Sequence, residues 1–320
     1  MAVACALTTT LLPLVQYEAG EHRAGGHAAA VTKPGPDAPY ARYEGAESRA
    51  GVTDCEDPEA SLRPSGDSGA AVERIKDRGH LIAGVDQNSF RWGYRNPATG
   101  NLEGFDIDLA RTVAKDILGP DGKIVFRTIP TNQRIPALEQ RKVDIIVRTM
   151  TINCERIRQV AFSTAYFEAG QQVLVPEGSS ITAFNDTLSG KKVCTAAGST
   201  GEAELRKKSR GATVMTVPNQ LDCLVRLQLG QVDAVITDNA LAAGQAAQDP
   251  SVKLVGKPFT REPYGVAMNL EDEDLVRRVN NVLEDYRRGG DDSPWMTAYK
   301  KWLAADLRGM DGPPAPKYKS

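Results

Sequence analysis

The residues best equipped for chemistry crowd into one stretch, Thr149-Met150-Thr151-Ile152-Asn153-Cys154-Glu155-Arg156. It follows the apolar run Val143-Asp144-Ile145-Ile146-Val147, which reads as a strand. It leads into a pattern that predicts a helix from Cys154 to Ala161, with Asn153 as its N-cap. Thr149, Thr151 and Arg156 thus fall where a strand gives way to a helix, the edge of an open α/β sheet at which small molecules bind. A guanidinium offers a planar fork of donors that matches a carboxylate. Hydroxyls and free backbone N–H groups take the remaining lone pairs. The stretch predicts a clamp for a small carboxylate such as that of an amino acid.

The rest of the composition narrows the chemistry. The chain has 320 residues, 41% hydrophobic and 25% charged, enough for two ordinary domains with a core. Its formal net charge of −2 points to neither nucleic acid nor an anionic membrane surface as a partner. Of three histidines, His22 and His27 lie in low-complexity sequence, so only His80 is placed to act as a catalytic base. The five cysteines, Cys5, Cys55, Cys154, Cys194 and Cys223, form no C-x-x-C pair, which argues against structural zinc. No metal and no cofactor are expected. The four cysteines beyond the N-terminus fit two disulfides in an oxidising compartment, or else four buried thiols.

The chain divides by pattern. Residues 1–15 are an apolar run shorter than the ~20 residues of a membrane span and read as a signal or anchor segment. Residues 16–70, rich in Gly, Ala, Pro, Glu and Arg, read as a flexible tether, with Cys55 late in it placed to tie it to the fold. From there strands and helices alternate. The order predicts a first lobe from 71–170 plus 264–308 and a second from 171–263. Two extended segments, Gln171–Val175 and Gly265–Met268, are expected to cross between them as a hinge. Residues 309–320, with Gly-Pro-Pro-Ala-Pro, read as a disordered tail.

Five motifs then stand in register with a known family. Gly104-Phe105-Asp106-Ile107-Asp108-Leu109-Ala110 and Arg134-Ile135-Pro136-Ala137-Leu138 followed by Val143-Asp144 are two of them. The Thr149–Arg156 stretch with Phe162-Ser163-Thr164-Ala165-Tyr166 is the third. Leu188-Ser189-Gly190-Lys191-Lys192-Val193 and Gly198-Ser199-Thr200 complete the set. Over about residues 71–306 the chain resembles the bacterial extracellular solute-binding proteins of family 3, which bind polar amino acids. The resemblance implies an α/β, two-lobed periplasmic-binding-protein (Venus flytrap) fold of type II, with two crossover strands as hinge, in an extracytoplasmic monomer. Asp54-Cys55-Glu56-Asp57-Pro58, Cys154-Glu155-Arg156, Asp222-Cys223-Leu224-Val225 and Tyr299-Lys300-Lys301-Trp302-Leu303 further resemble the actinobacterial glutamine-binding-type lipoproteins that sense glutamate and aspartate.

The family pattern implies roles. It places Arg156 on the ligand α-carboxylate, shared with Thr149, Thr151, Ser199 and backbone N–H groups near Gly198 and Thr200. Asp238 would take the α-ammonium from the opposite lobe. Arg134 stands where glutamate and aspartate binders often carry arginine, and Arg148 where many members have a small residue. Both are alternatively surface groups or paired with acids. Asp86 lies near the ligand in the family and would neutralise one arginine. Phe90, Trp92 and Tyr94 offer a ring to the ligand, with at least one of them in the core. Surplus arginine charge favours an acidic ligand over an amide. Four cysteines allow three pairings; Cys194–Cys223 within the second lobe and Cys55–Cys154 tying the tether to the first are expected. The partner is an ABC permease or a membrane signalling adaptor. The alternative is a dehydratase-type lyase on the same fold, with Glu168 as the nearest candidate acid.

Overall fold

A computed structural model describes residues 55–320. Expectations for residues 1–15 and for 16–54 of the tether lie outside the described residues. Both lobes belong to one compact unit, Val52–Ser320.

Each lobe is built on a five-stranded sheet. In the first the strand order is Lys123–Thr128, His80–Val85, Ile145–Ile146, Ala267–Asn269, Val160–Phe162. His80–Val85 runs parallel to both its neighbours, and Ala267–Asn269 returns antiparallel. In the second the order is Thr213–Val217, Lys192–Ala196, Ala234–Asp238, Gln171–Pro176, Val252–Val255. The central strands read as unbroken apolar runs because helices cover both faces of the sheet. Helices α1 (Ala70–Arg78), α2 (Phe105–Leu118), α3 (Arg134–Glu139), α7 (Glu273–Arg287) and α8 (Pro294–Trp302) flank the first sheet. The second carries α4 (Thr200–Lys207), α5 (Gln220–Gln228) and α6 (Asn239–Gln248). Ile75, Leu109, Val113, Leu275, Val279, Leu283 and Trp295 recur at helical spacing and are buried in one core. The second lobe has its own clusters around Leu174 and Val173.

The crossing strands are Phe167–Ala169 and Glu262–Tyr264, paired antiparallel. They lie a few residues before the segments expected from sequence. Gln171–Pro176 and Ala267–Asn269 are buried runs absorbed into the two lobe sheets. The hinge is therefore only three pairs long, short enough to bend as a unit.

Three other expectations need correction. Cys154 to Ala161 is not a helix: a single 3₁₀ turn, Arg156–Arg158, precedes the strand Val160–Phe162. Val160 and Phe162 point into the core beside Ala267, and that β-pairing overrides the local helical pattern. Residues 55–69 are not a free tether: Glu59 and Ser61 are buried, and Asn280 donates to Ser61 Oγ and Leu62 O. The tail is not disordered at its end. Ser61 forms a parallel bridge with Tyr318, with Ser61 N–H donating to Lys317 O (3.0 Å) and Lys319 N–H to Ser61 O (2.8 Å). Two chain ends too short to form a core thus pair with each other on the lobe surface.

Candidate functional site

Arg156 opens the 3₁₀ turn, whose N-cap is Glu155, and its N–H donates to Asn153 Oδ1 at 2.9 Å. Its guanidinium is buried and oriented by two backbone carbonyls. Nη1 donates to Thr151 O (2.8 Å) and Nη2 crosses to Gly198 O of the other lobe (3.2 Å). Among the described residues it has no ion-pair partner. Burial lowers its pKa, opposed by Glu262 and Asp238. Arg134 has the same character. Nε donates to Thr131 O (3.0 Å) and Nη1 to Arg148 O (3.3 Å), and among the described residues no carboxylate pairs with it. Burial, then the neighbouring Arg156 and Arg148, pull its pKa well down. Each is a buried cation held in place by dipoles alone.

Thr149 adopts a left-handed backbone, φ 41°, unusual for a β-branched residue. Its N–H is held by Asp106 Oδ2 (3.0 Å), and Asp106 Oδ1 accepts from Tyr166 (2.8 Å). Asp106 is buried and among the described residues forms no ion pair; desolvation raises its pKa to about 7. Thr151 faces Tyr264 on the hinge, with its hydroxyl donating to the buried Glu262 (2.6 Å).

The second lobe supplies the other wall. Ser199 caps α4, accepting from Glu202 N–H, while Glu202 Oε2 takes the Gly198 N–H (2.7 Å). Asp238 ends its strand at the start of α6. Its oxygens accept from Gln171 Nε2 and Tyr264 Oη. Desolvation and the nearby Glu262 raise its pKa, against the pull of Tyr264, Arg134 and Arg156.

These residues close on a small cavity of about 20 Å³, lined by Thr131, Arg134, Thr149, Thr151, Arg156, Gln171, Ser199, Thr200, Gln220, Thr237 and Asp238. Its walls carry two guanidiniums and one carboxylate. A larger, open hollow of about 490 Å³ between α6 and Asp306–Arg308 is lined by three alanines, two leucines, Gln172, Asn239, Asp306 and Arg308. The lobes touch around the smaller cavity: Thr131 N–H donates to Pro218 O (3.3 Å), and Arg148 Nη2 to Asn219 Oδ1 (3.4 Å).

Several sequence expectations are redistributed. Arg134, Thr149, Thr151, Arg156, Ser199, Thr200 and Asp238 converge on the cavity. Arg148 and Asp86 do not line it; they form a buried ion pair at 3.0 Å, with Asp86 also accepting from Ser89. Phe90 lies outside it, edge-on to Tyr94 at 5.0 Å, its carbonyl against Gly244 of α6. Trp92 is core, donating to Ala240 O. The Gly198 N–H is committed to Glu202, and the glycine instead offers its carbonyl to Arg156. Glu168, the candidate acid, is paired with Arg261 at the hinge surface.

Thr131, Gln171, Gln220, Thr237 and Glu262 were not singled out as site residues from sequence. Thr131 Oγ1, Gln171 Oε1 and Gln220 Oε1 are buried without a hydrogen-bond partner among the described residues. Among buried groups such orphans are rare, but neutral amides and hydroxyls carry no sequence signal of their own. Both expected disulfides are present, Cys55–Cys154 and Cys194–Cys223, with Cα atoms 5.7 and 5.5 Å apart.

Two α/β lobes joined by a strand pair, with opposed charges facing a cleft between them, define a two-lobed binding protein for a small zwitterion. The chain belongs to the bacterial extracellular solute-binding proteins, family 3, whose family model matches residues 81–305. It is 40% identical over 248 residues to an ABC transporter glutamine-binding protein of Bacillus subtilis (strain 168), covering 78% of this chain and 89% of that one. It is 39% identical to a glutamine-binding protein of Geobacillus stearothermophilus, covering 74% and 90%. Among solved structures it resembles an ancestral arginine-binding protein bound to glutamine. That likeness has a TM-score of 0.65 and 38% identity, covering 71% of this chain and 98% of that one.

Proposed function

We propose that this protein binds a polar amino acid outside the cytoplasm, with an acidic side chain, glutamate or aspartate, as the preferred ligand. Arg156 with the α4 N-terminus takes the α-carboxylate, and Asp238 the α-ammonium. The observation that carries the side-chain preference is Arg134, a buried guanidinium on the cavity wall without a carboxylate partner among the described residues. A ligand carboxylate there relieves a desolvation cost that an amide leaves in place. The pairing of Arg148 with Asp86 removes the other spare arginine, so the preference rests on Arg134 alone.

Glutamine is the second reading. Gln220 Oε1 is a buried acceptor on the same cavity, suited to an amide N–H, and relatives bearing glutamine in their names support it. Calorimetric titration of the full chain with glutamate, aspartate, glutamine and asparagine separates the two. Acids bind at least about tenfold tighter in the first reading, a difference of ~1.4 kcal/mol, and Arg134→Gln abolishes the gap. Equal or tighter binding of the amides, unchanged in Arg134→Gln, establishes the second.

The reading is of binding without catalysis. A lyase needs a proton donor beside the leaving group; Glu168 stands at the hinge, held by Arg261, and Asp238 on the cavity wall is engaged by Gln171 and Tyr264 and is assigned to the ligand ammonium. Closure is what the protein hands on, to an ABC permease or a membrane signalling adaptor. The transporter name of the Bacillus relative supports the first; the likeness in Asp54–Pro58 supports the second.

A further inference from the structure

The segment that begins at Cys55 runs from the Arg156 loop to the hinge. Cys55 is bonded to Cys154, two positions before Arg156. Four residues on, the buried Glu59 is gripped through both oxygens by Arg261, which also holds Glu168. Arg261 directly precedes the hinge strand Glu262–Tyr264, and Glu168 lies in its partner, opposite Pro263. Two residues further, Ser61 Oγ donates to Phe162 O (2.6 Å) and accepts from Asn280 (2.8 Å). Lys317 of the tail adds a second cation to Glu59 (3.2 Å). Seven residues are thereby fixed at three points: the ligand-clamp loop, the hinge and the wall of the first lobe. The two disulfides differ in access. Cys194 and Cys223 are fully buried, whereas Cys55 and Cys154 are both part-exposed.

We propose that Cys55–Ser61 is a strap coupling the Arg156 loop to the hinge, and that Cys55–Cys154 is its redox-sensitive fastening. With the bond formed, the strap fixes the Asn153–Arg156 turn relative to Arg261 and the strand that must bend. A dithiol reductant opens it by thiolate attack on one sulfur. The S–S bond breaks, and the reductant's second thiol resolves the mixed disulfide. Two cysteine thiols and the oxidised dithiol result, with two electrons and two protons transferred to the protein. Access directs the attack to Cys55–Cys154 and spares the buried bond. Once released, Cys154 no longer anchors the turn, Glu59 keeps only its downstream attachment, and the ligand meets a looser clamp.

The affinity readout rests on the amino-acid-binding reading, so the test carries a second, ligand-free one. The oxidised full chain is treated with dithiothreitol under native conditions, alkylated and mapped by mass spectrometry. Label is expected on Cys55 and Cys154 while Cys194–Cys223 persists. Affinity for the tightest of the four amino acids is expected to fall on the order of tenfold in the reduced protein and in Cys55→Ser/Cys154→Ser. A smaller fall is expected in Glu59→Gln, which keeps the bond. Without ligand, amide exchange is expected to rise at residues 152–158 and at Glu262 and Tyr264. Unchanged exchange and affinity once the bond is lost overturn the strap; labelling of Cys194 and Cys223 first overturns its redox control. Raised exchange in a protein whose oxidised form binds none of the amino acids upholds the strap and refutes the ligand assignment.

Discussion

At the residue scale, the cavity is lined by charges that make no direct ion pair among the described residues. Arg156 and Arg134 are oriented by carbonyls, and Asp238 by neutral donors, so each is aimed without being neutralised. Charge-assisted hydrogen bonds contribute roughly 1.5–3 kcal/mol each, and a micromolar ligand needs about −8 kcal/mol in all. Two or three such contacts therefore dominate the affinity. Arg156→Ala should lose about 3 kcal/mol or more, over 100-fold in Kd, because the ligand carboxylate is left buried and unpaired; an unchanged isotherm would sink the assignment. Asp106 makes a different prediction. Its pKa of about 7 lies above the ordinary 3.8 of the unfolded chain. Between those values the native state holds a proton that the unfolded state has released, so stability should fall as pH rises from 4 to 7. Asp106→Asn can keep accepting from Thr149 N–H through Oδ1 while donating to Tyr166 Oη. Urea unfolding of that variant should show a flatter slope over this interval, and a slope identical to the parent's would place the titration elsewhere.

At the element scale, the close approach of α4 to the first lobe depends on Gly198. Its φ is +74°, and a Cβ there would sit 2.9 Å from Asn132 Cα across the cleft. Gly198→Ala should weaken ligand binding by about 1–3 kcal/mol through left-handed strain and a wedge between the lobes. Melting of the ligand-free protein should move much less; equal losses in both would make the glycine structural only. Much of this scaffold is legible in sequence. The Lys192–Ala196 and Thr213–Val217 strands fall where apolar runs place them, and the Gly-Ser-Thr turn into α4 announces an N-cap. What escaped is set by partners distant in sequence. The Val160–Phe162 strand exists because Ala267–Asn269 pairs with it. The tail is ordered because Ser61, over 250 residues away, takes its backbone bonds. That Asp86 would neutralise one arginine was expected; that the arginine is Arg148 and not Arg134 was not. Arg156 lines the cavity where its strand-end position placed it and Asp238 where the family resemblance did; Gln171 and Gln220 are uncharged and gave no such mark.

At the scale of the whole molecule, a ligand bound as proposed opposes the charges of both lobes at once, so binding favours closure. Direct bridges already join the lobes, from Thr131 to Pro218, Arg148 to Asn219, Arg156 to Gly198 and, fully buried, from Trp92 Nε1 to Ala240 O, and the ligand adds to them. A ligand at 100 times its Kd adds about 2.7 kcal/mol to the state that binds it. For a unit of this size each kcal/mol raises Tm by roughly 2–4 °C, so a shift of about 5–10 °C is expected in scanning calorimetry. Because Arg156 and Asp238 come from opposite lobes, the unfolding of both lobes should move together as one endotherm. If the ligand touched one lobe only, that lobe alone would gain stability and the endotherm would split as ligand is added. A split would show that the cleft charges do not act on one molecule, however tightly that molecule binds.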